Sequence, residues 1–82
     1  MSTYLGVHKF PKGTKKEDIE LKWEDYKMSA NKMGLKTINA VLNAEMGLAY
    51  CFTDAESADQ VRKAHSDAKV SLEDVIEVSN LT

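Results

Sequence analysis

Three side chains in this sequence are of types that commonly hold transition metals: His8, Cys51 and His65. Imidazole nitrogens and thiolate sulfurs are good ligands for nickel, copper and zinc, and geometry more than raw affinity selects among these metals. The two histidines and one cysteine are a sufficient donor set if the fold brings them together. A single cysteine excludes both an internal disulfide and a zinc site built from cysteines alone.

The first half of the chain is predicted to form a strand and a helix. Tyr4–Phe10 has the character of a strand and ends at a proline–glycine turn cluster. Thr14 and Glu17 have the spacing of a capping box, which predicts the start of a helix. Gly34 is expected to end that helix. Its buried stripe is predicted from apolar residues at spacings of three and four, namely Ile19, Trp23, Tyr26, Ala30 and Met33.

The second half is predicted to form a hairpin, a helix and a last strand. Lys36–Asn43 and Leu48–Thr53 are joined by so short a connection that they must pair antiparallel. Asp54 or Ser57 is expected to cap the second helix. Glu73–Ser79 is the last predicted strand. The second helix has a narrow apolar stripe that consists of Ala58, Val61, His65 and Ala68.

The predicted element order is β-α-β-β-α-β, which is the ferredoxin-like arrangement of the α+β class. Two right-handed crossovers place both helices on one face of a four-stranded antiparallel sheet. A chain of 82 residues is expected to be one domain, residues 1–82, without a linker.

Composition restricts the class of protein further. Hydrophobic residues make up 43% and charged residues 29%, which excludes a disordered or fibrous chain. A net charge of −2 gives no strong field for polyanions. The longest apolar runs are only a few residues, and the first 13 residues lack the apolar stretch of a secretory signal. We therefore expect a soluble cytoplasmic domain.

Two helices leave the other face of the sheet open. Because the helices contribute large side chains such as Trp23 and Tyr26, we expect small or branched sheet residues beneath them, namely Leu5, Val7, Ala49 and Cys51. The open face is then predicted to carry Tyr4, His8, Phe10, Leu48, Tyr50 and Phe52. A patch of this size favours burial against a second copy in a two-fold homodimer. With the faces inverted, the large residues would instead be core.

This assignment of faces separates the candidate ligands. His8 is predicted to lie on the open face, whereas Cys51 points toward the helices, where His65 could approach it. A metal site would then need His8 from both subunits, or His8 together with surface carboxylates. If no metal binds, His8 is expected to be a half-buried interface residue. Cys51 would then be a small core residue, and His65 would lie at the edge of a helix.

Short motifs are spread over nearly the whole chain. They are Tyr4-x-x-Val7-His8-Lys9-Phe10-Pro11, Glu17-Asp18, Gly34-Leu35-Lys36, Glu45-Met46-Gly47-x-x-Tyr50-Cys51-Phe52-x-Asp54-Ala55, Val61-Arg62-x-Ala64-His65-x-x-Ala68 and Glu73-Asp74-Val75-Ile76-Glu77-Val78. Together they resemble a family of small bacterial ferredoxin-like proteins that carries a domain-of-unknown-function label and includes nickel-binding members. The resemblance implies a dimer of this fold that binds a transition metal, with His8, Cys51 and His65 at positions typical of the family. Together with the apolar open face and the two histidines, it leads us to expect a small non-enzymatic homodimer that binds nickel or another divalent transition metal.

Two positions depart from the family pattern. Members often have an aspartate where Gly6 stands in this chain, and a histidine where Trp23 stands. Both differences remove potential metal ligands.

An enzyme is one alternative class. Dimeric α/β-barrel proteins of the monooxygenase and isomerase type use the cavity between sheet and helices, in which His8 beside Tyr4 and Tyr50 could serve as acid and base. An apolar cavity with His8 and a tyrosine converging on it would favour this class or a small-ligand-binding protein. The sequence has no nucleophile elbow, glycine-rich phosphate loop or paired-carboxylate spacing.

A single-strand RNA binder is the second alternative. RNA-recognition motifs share this topology and stack bases on aromatic residues of the two central strands. Residues 46–51 partly match the consensus of the third strand, and Tyr4 could supply the aromatic residue of the first. However, the strands offer only Lys9 and Lys36 for phosphate, so the sequence does not favour a nucleic-acid partner.

Overall fold

Six elements follow one another in the predicted order. The computed structural model describes residues 1–81; Thr82, the end of the short tail expected after the last predicted strand, lies outside the described residues. The elements are β1 (Ser2–Lys9), α1 (Lys16–Lys32), β2 (Lys36–Asn43), β3 (Leu48–Ala55), α2 (Ala58–Asp67) and β4 (Asp74–Val78). The ferredoxin-like β-α-β-β-α-β order is therefore confirmed. Neither helix within residues 1–81 has the length and apolar content needed to cross a membrane.

The four strands form one antiparallel sheet in the order β2-β3-β1-β4. The predicted hairpin is present as β2 and β3, with a register irregularity between Thr37 and Asn39. In the central pair, Gly6 of β1 lies opposite Cys51 of β3, and His8 lies opposite Ala49. Because residues directly opposite one another project to the same face, this register sets which side chains meet under the helices.

The two helices begin differently. The hydroxyl of Thr14 donates a hydrogen bond to the carbonyl oxygen of Pro11 at 2.6 Å, and α1 begins two residues later without a side-chain cap. The predicted capping box at Thr14 is therefore wrong, because the turn uses the hydroxyl. In α2 the predicted cap is present: the Ser57 hydroxyl accepts a hydrogen bond from the N–H of Gln60 at 3.3 Å.

The core lies between the helices and one face of the sheet. Its largest fully buried side chains are Tyr26, Val61, His65 and Thr53. The ring of Tyr26 stacks on that of His65 with centroids 3.7 Å apart, and its hydroxyl shares a 2.6 Å hydrogen bond with the hydroxyl of Thr53. This contact joins α1 to α2 and to β3, so it fixes the helices over the central strands.

The helices cover the side of β1 that was predicted to be open. Tyr4 and His8 are only 7% and 6% exposed, and the half-buried Phe10 has its ring 6.5 Å from that of His8. The prediction that Tyr4, His8 and Phe10 lie on the open face is therefore wrong. These large side chains fit under the helices because their neighbours there, Gly6 and Ala49, leave space.

The assignment of β3 to its two faces is correct. Ala49 and Cys51 are buried on the helix side, whereas the open face carries half-buried apolar side chains from the two central strands: Leu48, Tyr50, Phe52, Leu5 and Val7. Val41 and Ile76, which pair with Tyr50 and Leu5, flank this group and are 49% and 44% exposed. We call these seven residues the open-face patch.

Candidate metal centre

His8, Cys51 and His65 converge beneath the helices. They come from β1, β3 and α2, all three are buried, and their ligand atoms lie within 4.8 Å of one another. The thiol sulfur of Cys51 is 3.4 Å from Nε2 of His8 and 3.5 Å from Nε2 of His65. The expected approach of His65 to Cys51 is present. The expectation that His8 lies apart from them is wrong, because it followed from the wrong face of β1.

Backbone carbonyl groups orient both imidazole rings. Nδ1 of His8 is 2.7 Å from the carbonyl oxygen of Ser71, and Nδ1 of His65 is 2.8 Å from that of Val61. A carbonyl oxygen only accepts, so each Nδ1 carries the proton and each neutral ring has its lone pair on Nε2. Hydrogen bonds of this kind fix the tautomer of metal-binding histidines. Both lone pairs are therefore directed at Cys51.

The protonation states of the cluster follow from its burial. Desolvation raises the pKa of the Cys51 thiol to about 11 and lowers the pKa of His65 to about 4. Desolvation also lowers the pKa of His8 from its usual value of 6.5. Near neutral pH the cluster thus consists of two neutral imidazoles and one thiol.

The hydrogen-bonding capacity of the cluster also suits a cation. The Cys51 thiol has one proton to donate, but two Nε2 lone pairs face its sulfur. One buried lone pair is left without a donor, which is unfavourable in a desolvated site. A divalent metal in place of the thiol proton would accept electron pairs from all three atoms at once.

The two sulfur–nitrogen distances in the cluster also fit a metal. In a tetrahedral site with bonds of about 2.0 Å to nitrogen and 2.3 Å to sulfur, nitrogen and sulfur lie about 3.5 Å apart. The two sulfur–nitrogen distances of 3.4 and 3.5 Å are already at this value. The donor set of two imidazoles and one thiolate suits nickel, copper and zinc.

Gly6 makes room for this arrangement. A Cβ atom at Gly6 would lie 2.7 Å from the sulfur of Cys51, 3.2 Å from Cδ1 of Leu72 and 3.5 Å from Nε2 of His8. The first distance is too short for a real contact. Any larger residue at this position must therefore displace the thiol from its place between the two imidazoles.

The cluster borders an apolar cavity of about 260 Å³ that lies between the sheet and α1. Trp23, Ile19 and Tyr26 line it from α1, and the charged residues Lys16, Glu20 and Lys22 in its lining are exposed. His8, Cys51 and His65 all contribute to the lining. The three donor side chains therefore adjoin a space that is large enough for a small molecule.

Comparison with known proteins identifies the family. The model of the family described as nickel responsive protein SCO4226-like matches residues 4–78. The chain belongs to this family. The crystal structure of SCO4226 from Streptomyces coelicolor A3(2) has the same fold, with a TM-score of 0.88 over 99% of this chain and 100% of that one, at 17% sequence identity. No curated protein sequence matches the chain. The resemblance that the short motifs indicated is thus confirmed.

Both departures from the expected family pattern lie at the site of this SCO4226-like protein. Gly6 is in contact range of Cys51, and Trp23 lines the cavity. Position 6 therefore offers no aspartate carboxylate, and position 23 of α1 offers no histidine. Among residues 1–81, the cluster of side chains that could hold a metal ion consists of His8, Cys51 and His65.

The structure supports the two alternative functions, an enzyme or small-ligand-binding protein and an RNA binder, to different degrees. The cavity that would favour an enzyme or a small-ligand-binding protein is present, with His8 and Tyr26 in its lining. In contrast, Tyr4 is buried beneath the helices and does not reach the open face. The base-stacking role suggested for Tyr4 in an RNA-binding module is therefore wrong.

Proposed function

We propose that this protein binds nickel or another divalent transition metal through Nε2 of His8, Sγ of Cys51 and Nε2 of His65. The observation that carries the proposal is the pair of imidazole lone pairs directed at one thiol. Membership of a family of nickel-responsive proteins supports nickel as the metal. The donors alone also suit zinc and copper, and for most sites copper(II) binds more tightly than nickel.

We further propose that the protein acts as a binder and not as an enzyme. A general acid or base works best when its pKa lies near the working pH. Burial moves the groups around the cavity away from neutrality: the pKa of Tyr26 is raised to about 12 and that of His65 is lowered to about 4. The free Cys51 thiol fits a reducing compartment, which supports the cytoplasm as the location.

Calorimetric titration of the metal-free protein tests the metal site. With the thiol reduced beforehand and the reductant removed under anaerobic conditions, we expect one nickel(II) ion per chain, with saturable binding of zinc(II) at the same site. His8→Phe keeps a ring in the core but removes a donor atom, so its nickel affinity should fall more than tenfold. His8→Ala should lose affinity to a similar degree.

Tyr4→Leu is the matched control, because it alters another buried aromatic residue on the same side of β1 without removing a donor. It should keep the nickel affinity of the wild type. No saturable uptake by the wild type, or equal affinities for the wild type and His8→Phe, would show that the proposed site is wrong.

We also propose that the protein is a homodimer joined through the open-face patch. Its residues are apolar side chains on a sheet face without helices, and patches of this kind commonly mark interfaces. Of the six interface residues predicted from the sequence, Leu48, Tyr50 and Phe52 lie on this face, and Leu5 and Val7 join them.

Sedimentation velocity tests the dimer. The wild type should sediment as a dimer, whereas Phe52→Lys should sediment as a monomer, because a charge would be buried at the centre of the interface. Leu21→Lys is the control, since Leu21 is an apolar residue of α1 that is 63% exposed. Monomeric wild type at every concentration would contradict the proposed assembly.

A further inference from the structure

The donor atoms that border the cavity come from only part of its lining. His8, Cys51 and His65 belong to β1, β3 and α2, whereas α1, which also lines the cavity, contributes no donor to the cluster. Two residues of α1 in the lining, Tyr26 and Glu20, carry oxygen atoms that could bind a metal, but neither belongs to the cluster. The hydroxyl of Tyr26 is bonded to Thr53, and Glu20, the one carboxylate of the described lining, is exposed and 3.8 Å from Lys16.

A metal held by three protein atoms keeps a position for another ligand. Four-coordinate sites with three protein ligands are typical of metal centres that take up water or a small molecule. In this chain the space that adjoins the donors is not polar: it is walled by Trp23, Ile19 and Ala49. A ligand that reaches the metal must therefore carry an apolar body.

The cavity also restricts the size and charge of that ligand. An apolar cavity of about 150 Å³ holds benzene, so about 260 Å³ accommodates a molecule of two small rings. The lining cations Lys16 and Lys22 are exposed and do not neutralise an anion beside the cluster. The mainly apolar lining suits a ligand with a neutral body, and its aromatic walls favour a planar ring.

We propose that the cavity binds a small neutral aromatic heterocycle of the imidazole type. Its unprotonated ring nitrogen completes the coordination of the metal held by His8, Cys51 and His65, and its apolar body packs against Trp23 and Ile19. This inference rests on the proposed metal site and adds a ligand class to it.

The test uses nickel(II) and 4-phenylimidazole with the full chain. Nickel loading is measured first, from the thiolate-to-nickel charge-transfer absorption of Cys51. 4-Phenylimidazole is then added, and both this absorption and the fluorescence of Trp23, the single tryptophan of the chain, are followed. The absorption should shift, and 4-phenylimidazole should bind at least tenfold more tightly than imidazole, because only the phenyl derivative fills the cavity.

Two variants separate the cavity from the metal. Ala40→Leu fills space in the cavity wall, so it should load nickel normally but lose the tenfold preference for 4-phenylimidazole. Glu20→Gln should behave as the wild type in both steps. If Glu20→Gln alone changes the absorption of the nickel-loaded protein, the carboxylate is the further ligand and the inference is wrong.

The possible failures are distinguishable. Absence of the charge-transfer absorption means that nickel does not bind Cys51, and both proposals fail. A normal absorption that 4-phenylimidazole does not shift, or equal affinities for imidazole and 4-phenylimidazole, overturns the inference about the cavity and leaves the metal site intact.

Discussion

Nickel should bind this protein about 100 times more tightly at pH 8.5 than at pH 6.5. The metal binds the thiolate of Cys51, but burial raises the pKa of this thiol to about 11, so the metal must displace a proton at every pH in this range. Both histidines are neutral above pH 6.5, because burial lowers their pKa values. One proton therefore competes with each metal ion, and affinity rises about tenfold per pH unit.

Competition with a chelator of known affinity measures this dependence. Calorimetry in two buffers of different ionisation enthalpy should report release of about one proton per nickel ion. Cys51→Ala is the matched control: its remaining imidazole donors are already deprotonated, so any residual affinity should be nearly independent of pH. A wild-type affinity that does not change with pH would exclude the thiolate as a ligand.

The order of elements was predictable because the signals for it are local. Gly34 ends α1 with a φ of +76°, as its position after the apolar stripe indicates. The four-residue connection between the hairpin strands permits only antiparallel pairing. Such features depend on neighbours in sequence and need no knowledge of the tertiary contacts.

The faces of the central strands were not predictable in the same way. Alternation separates the two sides of each strand, but it does not say which side of β1 matches which side of β3. The rule that small residues lie beneath helices holds for Ala49 and Cys51. It fails for Tyr4 and His8, because Gly6 between them supplies the missing space.

The metal centre depends on this same pairing. Because Gly6 lies opposite Cys51, the side chain of His8 two residues further along reaches the sulfur. The residue types in the site were visible in the sequence, but their convergence follows from the register of two strands that are far apart in the chain. The carbonyl groups of Ser71 and Val61 that orient the histidines could not be predicted, because every residue has a backbone carbonyl and the side chains of Ser71 and Val61 do not mark this role.

Acid should remove about 3 kcal/mol of folding stability through His65 alone. The pKa of His65 is 6.5 when unfolded and about 4 in the folded protein, where burial and the neighbouring His8 oppose a positive charge. The unfolded chain therefore takes up the proton first as the pH falls. This contribution to stability is complete above pH 6.5 and is lost between about pH 6.5 and 4.

The other titratable groups that face His65 either keep their protonation state between pH 6.5 and 4 or also reduce the folding stability as the pH falls. Tyr26 of α1 and Cys51 of β3 stay neutral, because their pKa values are raised to about 12 and 11. His8 of β1, whose pKa is also lowered, adds a loss of the same sign. With metal removed by a chelator, each of the two buried imidazoles thus contributes to the fall in stability on acidification.

Urea unfolding at several pH values, compared between the wild type and His65→Phe, measures the contribution of His65. Phenylalanine keeps a ring to stack on Tyr26 but does not titrate, so the variant should lose less stability than the wild type between pH 6.5 and 4. The variant lacks the hydrogen bond to the Val61 carbonyl at every pH, so only the change in stability with pH is compared. Because surface carboxylates are common to both proteins, their effect cancels. Parallel stability curves for the two proteins would mean that His65 accepts a proton as readily in the folded as in the unfolded chain, and that the site is not desolvated.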